Sequence, residues 1–273
     1  MSLAATTVLP SHLFAEEGSA RPFGYKRSIS HWTVSQLEWE DLCPWLVKEG
    51  VDAIDLVGPE NWHHLKQFGL DSSMCNGAEL NLVDGFIHEE FEGVLHQRYS
   101  EMIPRVAKAG YQNLICFSGN RRGLNEETGL KQAVKALQPL VKIAEEHGVV
   151  LQMELFNSTV DHPDYMADSS QWGIALAKQL NSPSFKLLYD IYHMQIMEGN
   201  LIQNIQENHT FYGHYHVAGV PGRNEPWSNQ EINYPAVMQA IDKTGFKGYV
   251  ALEYVFTEPV KESMKTSYNE YIK

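Results

Sequence analysis

The residues best suited to chemistry in this chain stand at the ends of its last four strand-like segments: Glu154, Asp190, His216 and Glu253. Asp190 closes a short apolar and aromatic run, which is typical of a buried parallel strand. A carboxylate at the exit of such a strand loses its hydration unless a cation or a metal ion compensates it. Taken alone, Asp190 is explained equally well as a helix cap or a turn residue. Four such residues on consecutive strands favour a shared site.

Eight strand-like segments, separated by helical patterns and loops, must position these residues. The predicted strands are residues 25–31, 51–57, 70–75, 113–117, 149–154, 186–190, 212–217 and 249–253. A single helix is predicted at residues 32–49, after the first strand. The alternation predicts an α/β protein with a (β/α)₈ TIM barrel. A doubly wound sheet is the alternative, but none of the turns carries the G-x-G-x-x-G pattern of a dinucleotide site.

In a TIM barrel the carboxyl ends of all the strands meet at one face. Side chains alternate along a strand, so Glu154, His216 and Glu253 would each point inward at the top of the barrel. Three carboxylates and one imidazole would repel one another unless a cation neutralised them. Their oxygen-rich chemistry predicts one divalent ion, Mg²⁺ or Mn²⁺ ahead of Zn²⁺ or Co²⁺. The alternative is a set of buried polar groups satisfied by neighbouring side chains.

The loop after the seventh predicted strand holds Arg223 between Pro221 and Pro226. Two prolines restrict this loop and would hold the guanidinium over the barrel mouth. A guanidinium there can bind a carboxylate or a phosphate through two parallel hydrogen bonds. The alternative is a surface arginine paired with Glu225.

Charge and composition restrict the partners. The chain has 273 residues, 43% of them hydrophobic, and a net charge of −13 from 21 basic and 34 acidic residues. This balance argues against a nucleic acid or an anionic membrane as partner, and no run approaches the roughly 18 apolar residues of a membrane span. It leaves room for a small anionic substrate held by one local arginine. Self-association into a homo-oligomer stays open.

The N-terminal residues 1–22 are interpreted as an arm that precedes a single barrel domain at residues 23–273. Small and apolar residues near the start resemble the later part of a secretory leader, although the basic first part of a leader is missing. The arm is therefore either the remnant of a leader, which would indicate a periplasmic protein, or the terminus of a cytoplasmic enzyme.

Several motifs resemble the hydroxypyruvate isomerase family, within the xylose-isomerase-like TIM barrel superfamily that also includes ketose 3-epimerases. The resemblance runs from about residue 25 to the C-terminus. It is densest at residues 151–157, 187–195, 220–226, 231–234 and 252–254. Two positions depart from the family pattern: His216 stands where hydroxypyruvate isomerases usually have Gln and ketose epimerases have His, and Gln230 stands where Gly is expected.

The resemblance implies a role for each candidate residue. Glu154, Asp190, His216 and Glu253 would bind the metal ion, and Glu154 and Glu253 would also act as the acid/base pair. His193 and Arg223 would contact the substrate oxygens.

These roles predict an isomerase that interconverts hydroxypyruvate and tartronate semialdehyde, or a related keto acid or sugar, through an enediolate. A ketose 3-epimerase is the first alternative, and a non-catalytic sugar-binding protein is the second. An endonuclease-like hydrolase would need further histidine ligands, for which His31, His63 and His64 are candidates, and a basic surface that this acidic chain lacks.

Overall fold

The computed structural model describes residues 23–272, so the predicted N-terminal arm lies outside the described residues. Eight parallel strands pair in chain order, and β8 pairs with β1 to close the barrel. The strands are β1 Lys26–Ser30, β2 Ala53–Val57, β3 Asp71–Cys75, β4 Asn113–Cys116, β5 Val150–Glu154, β6 Phe185–Asp190, β7 Tyr212–Val217 and β8 Tyr249–Leu252. The predicted (β/α)₈ TIM barrel is confirmed.

Helices pack around the strands. They are α1 His31–Val34, α2 Trp39–Lys48, α3 Trp62–Phe68, α4 Glu92–Ala109, α5 Glu126–His147, α6 Ser170–Leu180, α7 Ile191–Met197, α8 Leu201–Asn208, α9 Tyr234–Lys243 and α10 Val260–Thr266. Helix α5 shows how the sequence sets its own limits, because the Asn125 side chain accepts a hydrogen bond from Thr128 N at its start. Gly148, with φ +67°, ends it. Among residues 23–272, no helix is both long and apolar enough to cross a membrane.

The single helix predicted at residues 32–49 is wrong, because a turn separates α1 from α2. The break lets the two helices face different surroundings. Helix α1 lies at the barrel mouth, where the Trp32 indole reaches Glu253, while α2 buries Leu42 and Leu46 in the core. Hydrophobic periodicity could not reveal this division, because the helical pattern of the sequence continues through the residues that form the turn.

Strand β2 is irregular around Asp55. Its register with β3 shifts on both sides of this residue, and Leu56 has a left-handed backbone with φ +55°. Irregularities of this kind bend a strand and redirect side chains, and they are frequent beside active sites. The Asp55 side chain is fully buried and faces His214 and His216 of β7.

Candidate active site

The structure brings Glu154, Asp190, His216 and Glu253 together at the carboxyl end of the barrel. One ligand atom from each lies within 4.8 Å of those of the other three. His216 occupies the centre: its Nδ1 atom lies 3.0 Å from Glu154 Oε1 and 2.9 Å from Glu253 Oε2. Asp190 Oδ2 lies 3.9 Å from the same nitrogen. All four side chains are buried, so the charges interact in a medium that screens them poorly.

The two glutamates of this cluster have pKa values shifted in opposite directions. Burial raises the pKa of Glu154 to about 8. Burial alone would also raise the pKa of Glu253, but His216 and Arg223 outweigh it and hold that pKa well below its usual range. Trp32 Nε1 and Ser30 Oγ also donate hydrogen bonds to Glu253 Oε1, at 2.7 and 3.1 Å. Two carboxyl groups that differ in this way are suited to acid and base roles.

Asp55 supports the cluster from inside the barrel, and the sequence analysis missed it. Its Oδ1 atom lies 3.1 Å from His216 Nε2, and its Oδ2 atom lies 2.7 Å from His214 Nε2 and accepts a 2.8 Å hydrogen bond from Ser73 Oγ. A histidine that binds a metal ion through one nitrogen commonly donates its other N–H to a carboxylate, which fixes the ring orientation. The signal available in the sequence was an acidic residue inside the second apolar strand.

Arg223 lies on the loop after β7 with a left-handed backbone, φ +56°. Its Nη2 atom donates a 2.6 Å hydrogen bond to Glu253 Oε2, and its guanidinium lies 5.4 Å from the ring centres of both Trp32 and Tyr192. The predicted alternative, a surface pair with Glu225, does not occur. Glu225 instead accepts hydrogen bonds from Thr257, and Arg223 is directed into the site.

His193, in the first turn of α7, lies beside Asp190. The Asp190 carboxylate caps this helix by accepting a 3.1 Å hydrogen bond from His193 N, and His193 Nε2 lies 3.6 Å from Asp190 Oδ2. The ring is fully buried, and burial together with the nearby Arg223 holds the pKa of His193 well below its usual value. His193 is therefore a neutral imidazole at the edge of the cluster.

A cavity of about 320 Å³ opens above the cluster. Glu154, Glu253 and Arg223 supply its polar groups, and the remaining walls are Trp32, Leu56, Leu82, Phe117, Phe156 and His162. A larger cavity of about 470 Å³ lies at the opposite end of the barrel, around Lys26, Asn113 and Tyr249, away from the cluster. The cavity above the cluster is concave and mostly apolar, with a few convergent polar groups, as small-molecule sites are.

The donor set fits a divalent metal ion. Three carboxylates and an imidazole supply oxygen and nitrogen ligands, which suit Mg²⁺ or Mn²⁺ and also permit Zn²⁺ or Co²⁺. Burial alone lowers the pKa of His216, but the carboxylates of Glu253 and Asp55 outweigh it and raise that pKa well above its usual value. The same crowding of negative charge around one nitrogen would favour a bound cation.

Residues 62–269 match the family model described as "Xylose isomerase-like TIM barrel". This match, together with the closed barrel and the cluster at its carboxyl end, shows that the chain belongs to the xylose isomerase-like TIM barrel family.

Within that family, the chain is similar to proteins described as isomerases of small keto acids. A putative hydroxypyruvate isomerase from Homo sapiens is 41% identical over 102 residues, which cover 37% of this chain and 37% of that protein. A 2-oxo-tetronate isomerase from Cupriavidus necator is 34% identical over 111 residues, 41% of this chain and 42% of that protein. The chain thus matches only about two fifths of the length of these curated relatives.

A crystal structure of an AP endonuclease, family 2, from Brucella melitensis superposes with a TM-score of 0.78 and 20% identity, over 89% of this chain and 96% of that one. This likeness shows the fold alone. The histidines that an endonuclease-like site would recruit lie elsewhere: His31 stacks on Trp39, which in turn stacks on His64. In the part of the chain that the structure describes, the two groups of residues able to hold a metal ion include none of His31, His63 and His64.

Proposed function

We propose that this protein is a metal-dependent isomerase that interconverts hydroxypyruvate and tartronate semialdehyde, or a closely related keto acid such as 2-oxo-tetronate, through an enediolate. One observation carries the proposal. Glu154 and Glu253 approach the same nitrogen of His216 at 3.0 and 2.9 Å, line the same cavity, and have pKa values shifted in opposite directions.

The two glutamates divide the proton transfer between them. Glu253 is ionised at neutral pH and removes a proton from the hydroxyl-bearing carbon, C3 of hydroxypyruvate, whose C–H electrons form the new C=C bond. Glu154 is the partner acid and delivers a proton to C2, the former carbonyl carbon. The proton of the C3 hydroxyl group passes to the oxygen on C2, which completes the conversion of ketone to aldehyde without gain or loss of atoms.

Other residues hold the substrate for this transfer. Arg223 would bind the carboxylate of the keto acid beside Glu253. His193, a neutral imidazole, would donate a hydrogen bond to the oxygen that gains negative charge. Glu154, Asp190, His216 and Glu253 would hold the divalent ion, which supplies Lewis acidity that polarises the carbonyl group and acidifies the neighbouring C–H bond.

Proton NMR in D₂O tests the proposal directly. The purified protein is incubated with Mg²⁺ or Mn²⁺ and hydroxypyruvate, and we expect deuterium at C3 together with the appearance of tartronate semialdehyde. Glu253→Gln should abolish both signals while leaving the fold intact, because it removes the base and keeps the shape. Glu231→Gln is the matched control, since Glu231 is an exposed glutamate. Wild-type turnover by Glu253→Gln would refute the assigned base.

A ketose 3-epimerase is the second candidate, and the cavity favours it. Its volume of about 320 Å³ leaves room for a substrate longer than three carbons. Exchange at C3 of a ketose, with none on hydroxypyruvate or 2-oxo-tetronate, would establish the epimerase. Binding of a sugar without any exchange would instead indicate a non-catalytic binding protein.

A further inference from the structure

Asn157, three residues after Glu154, makes the maximum number of hydrogen bonds through its side chain. Its Oδ1 atom accepts hydrogen bonds from the backbone N–H groups of Val160, at 3.0 Å, and Asp161, at 2.8 Å. Backbone N–H groups can only donate, so the identity of this oxygen is fixed and the amide cannot be flipped. The Asn157 Nδ2 group therefore faces the opposite direction.

Two acceptors receive the two hydrogens of Asn157 Nδ2. Asp161 Oδ2 lies 2.6 Å away and His193 Nδ1 lies 2.7 Å away. An amide nitrogen cannot accept a hydrogen bond, so His193 Nδ1 must be the acceptor in this contact. A neutral imidazole that accepts at Nδ1 carries its hydrogen on Nε2.

Asp161 and Tyr192 hold the amide in place. The Tyr192 hydroxyl donates a 2.8 Å hydrogen bond to Asp161 Oδ2, the same oxygen that binds Asn157. The amide, the carboxylate and the phenol thus form a chain of hydrogen bonds that ends on one nitrogen of a single buried histidine.

The other nitrogen of that histidine has no hydrogen-bond partner among residues 23–272. His193 Nε2 is buried and lies 3.6 Å from Asp190 Oδ2. A buried N–H without an acceptor is unfavourable, because it has lost its hydrogen bonds to water. An acceptor that arrives with the substrate would recover this energy.

We propose that Asn157 is a positioning residue that fixes His193 in the Nε2–H tautomer, so that the histidine presents a hydrogen-bond donor at the Asp190 side of the cluster. This role deepens the proposed function and rests on it, because the acceptor would be the substrate oxygen that becomes negative. The Asn157 side chain forms its hydrogen bonds with Val160, Asp161 and His193, and with none of the four residues of the cluster.

A charge exchange between two neighbours inverts the tautomer without changing the shape. In the double variant Asn157→Asp/Asp161→Asn, the carboxylate at position 157 still accepts from the two backbone N–H groups. Its second oxygen accepts a hydrogen bond from the new amide at position 161. This oxygen also faces His193 Nδ1, and because a carboxylate can only accept, His193 Nδ1 must now carry the hydrogen. The net charge does not change. Asp161→Asn alone is the control for the lost carboxylate at position 161, because it makes the same change there but leaves the Asn157 amide in place.

Nitrogen NMR of the imidazole, on protein without metal or substrate, reads the tautomer directly. We expect the Nε2–H form in the wild type and in Asp161→Asn, and the Nδ1–H form in the double variant. The rate of deuterium exchange into the substrate that the wild type turns over should then fall about 10²-fold in the double variant. The decrease should appear in kcat, because one hydrogen-bond donor to the developing negative charge is lost. Metal affinity should stay within a factor of two of the wild-type value.

The Nδ1–H form in the wild type, or the Nε2–H form in the double variant, would overturn the role of Asn157, whatever the protein catalyses. The inference would also fail if the double variant showed the inverted tautomer with an unchanged kcat. The expected tautomers in a wild type that exchanges no substrate proton would support the fixed tautomer and overturn the proposed function instead.

Discussion

Replacing Asp55 with asparagine is the sharpest test of how the barrel interior supports the cluster. Asp55 is fully buried, and its Oδ1 atom lies 3.1 Å from His216 Nε2. The asparagine keeps the size of the side chain and an oxygen acceptor, but it removes the charge that His214 and His216 face. If Asp55 orients and polarises His216, the variant should bind a divalent ion about 10- to 100-fold more weakly.

The structure also gives the expected change in stability. Burial alone would raise the pKa of Asp55, but His214 and His216 outweigh it and lower that pKa to about 2. Each tenfold change in proton affinity corresponds to about 1.4 kcal/mol, so the ionised Asp55 contributes roughly 2 kcal/mol at neutral pH. Because the folded pKa is depressed, this contribution is complete above the unfolded pKa of about 4 and disappears as the pH falls through about 2. Asp55→Asn should lose it at pH 7.

Two measurements separate these effects. Urea unfolding of the metal-free protein at pH 7 measures the stability change, and calorimetric titration with Mn²⁺ measures the affinity. The titration needs two pH values, because Asp55 also raises the pKa of His216 and so strengthens proton competition with the metal. We expect the full loss of affinity at the higher pH and a smaller loss at the lower pH. Asp41→Asn, at an exposed position on α2, is the control. A folded Asp55→Asn protein with unchanged Mn²⁺ affinity at the higher pH would refute the reasoning.

Two further predictions concern protons and the guanidinium. Burial raises the pKa of Asp190 to about 6 and of Glu154 to about 8, so a metal ion that binds below pH 8 must displace protons. The affinity for the divalent ion should therefore rise from pH 6 to pH 8. Calorimetry in two buffers of different ionisation enthalpy measures the protons that are released. Arg223→Lys should lower kcat/KM for a keto acid about 10- to 100-fold, chiefly by raising KM, because lysine cannot form two parallel hydrogen bonds to a carboxylate. An unchanged KM would show that Arg223 does not bind the carboxylate.

Much of the fold was predictable because strands and helices alternate visibly along the chain. The eight predicted strands match the eight observed strands closely, although β8 ends at Leu252 and Glu253 follows it. Helix α7 was not predicted as an element, although a helix cap was one of the explanations for Asp190, which is in fact both a member of the cluster and the cap of that helix. The division of residues 32–49 into two helices was also missed, since hydrophobic periodicity does not show the turn between them.

By itself, the sequence determined which residues converge. The carboxyl ends of parallel strands must meet at one face, and strict alternation of side chains decides which residue at each end points inward. Glu154, His216 and Glu253 follow from these two rules, and Asp190 follows from the first, because it closes the sixth strand.

Only the tertiary structure decided what each residue of the site can do. Asp55 reaches His216 because β2 is irregular and lies across the closed barrel, a contact between residues 161 positions apart. Burial and His216 act on both glutamates, but only Glu253 has Arg223 within hydrogen-bonding distance, and this contact helps to lower its pKa while that of Glu154 rises. The tautomer of His193 depends on the fixed orientation of the Asn157 amide. These properties arise from long-range contacts and desolvation, which local sequence patterns do not encode.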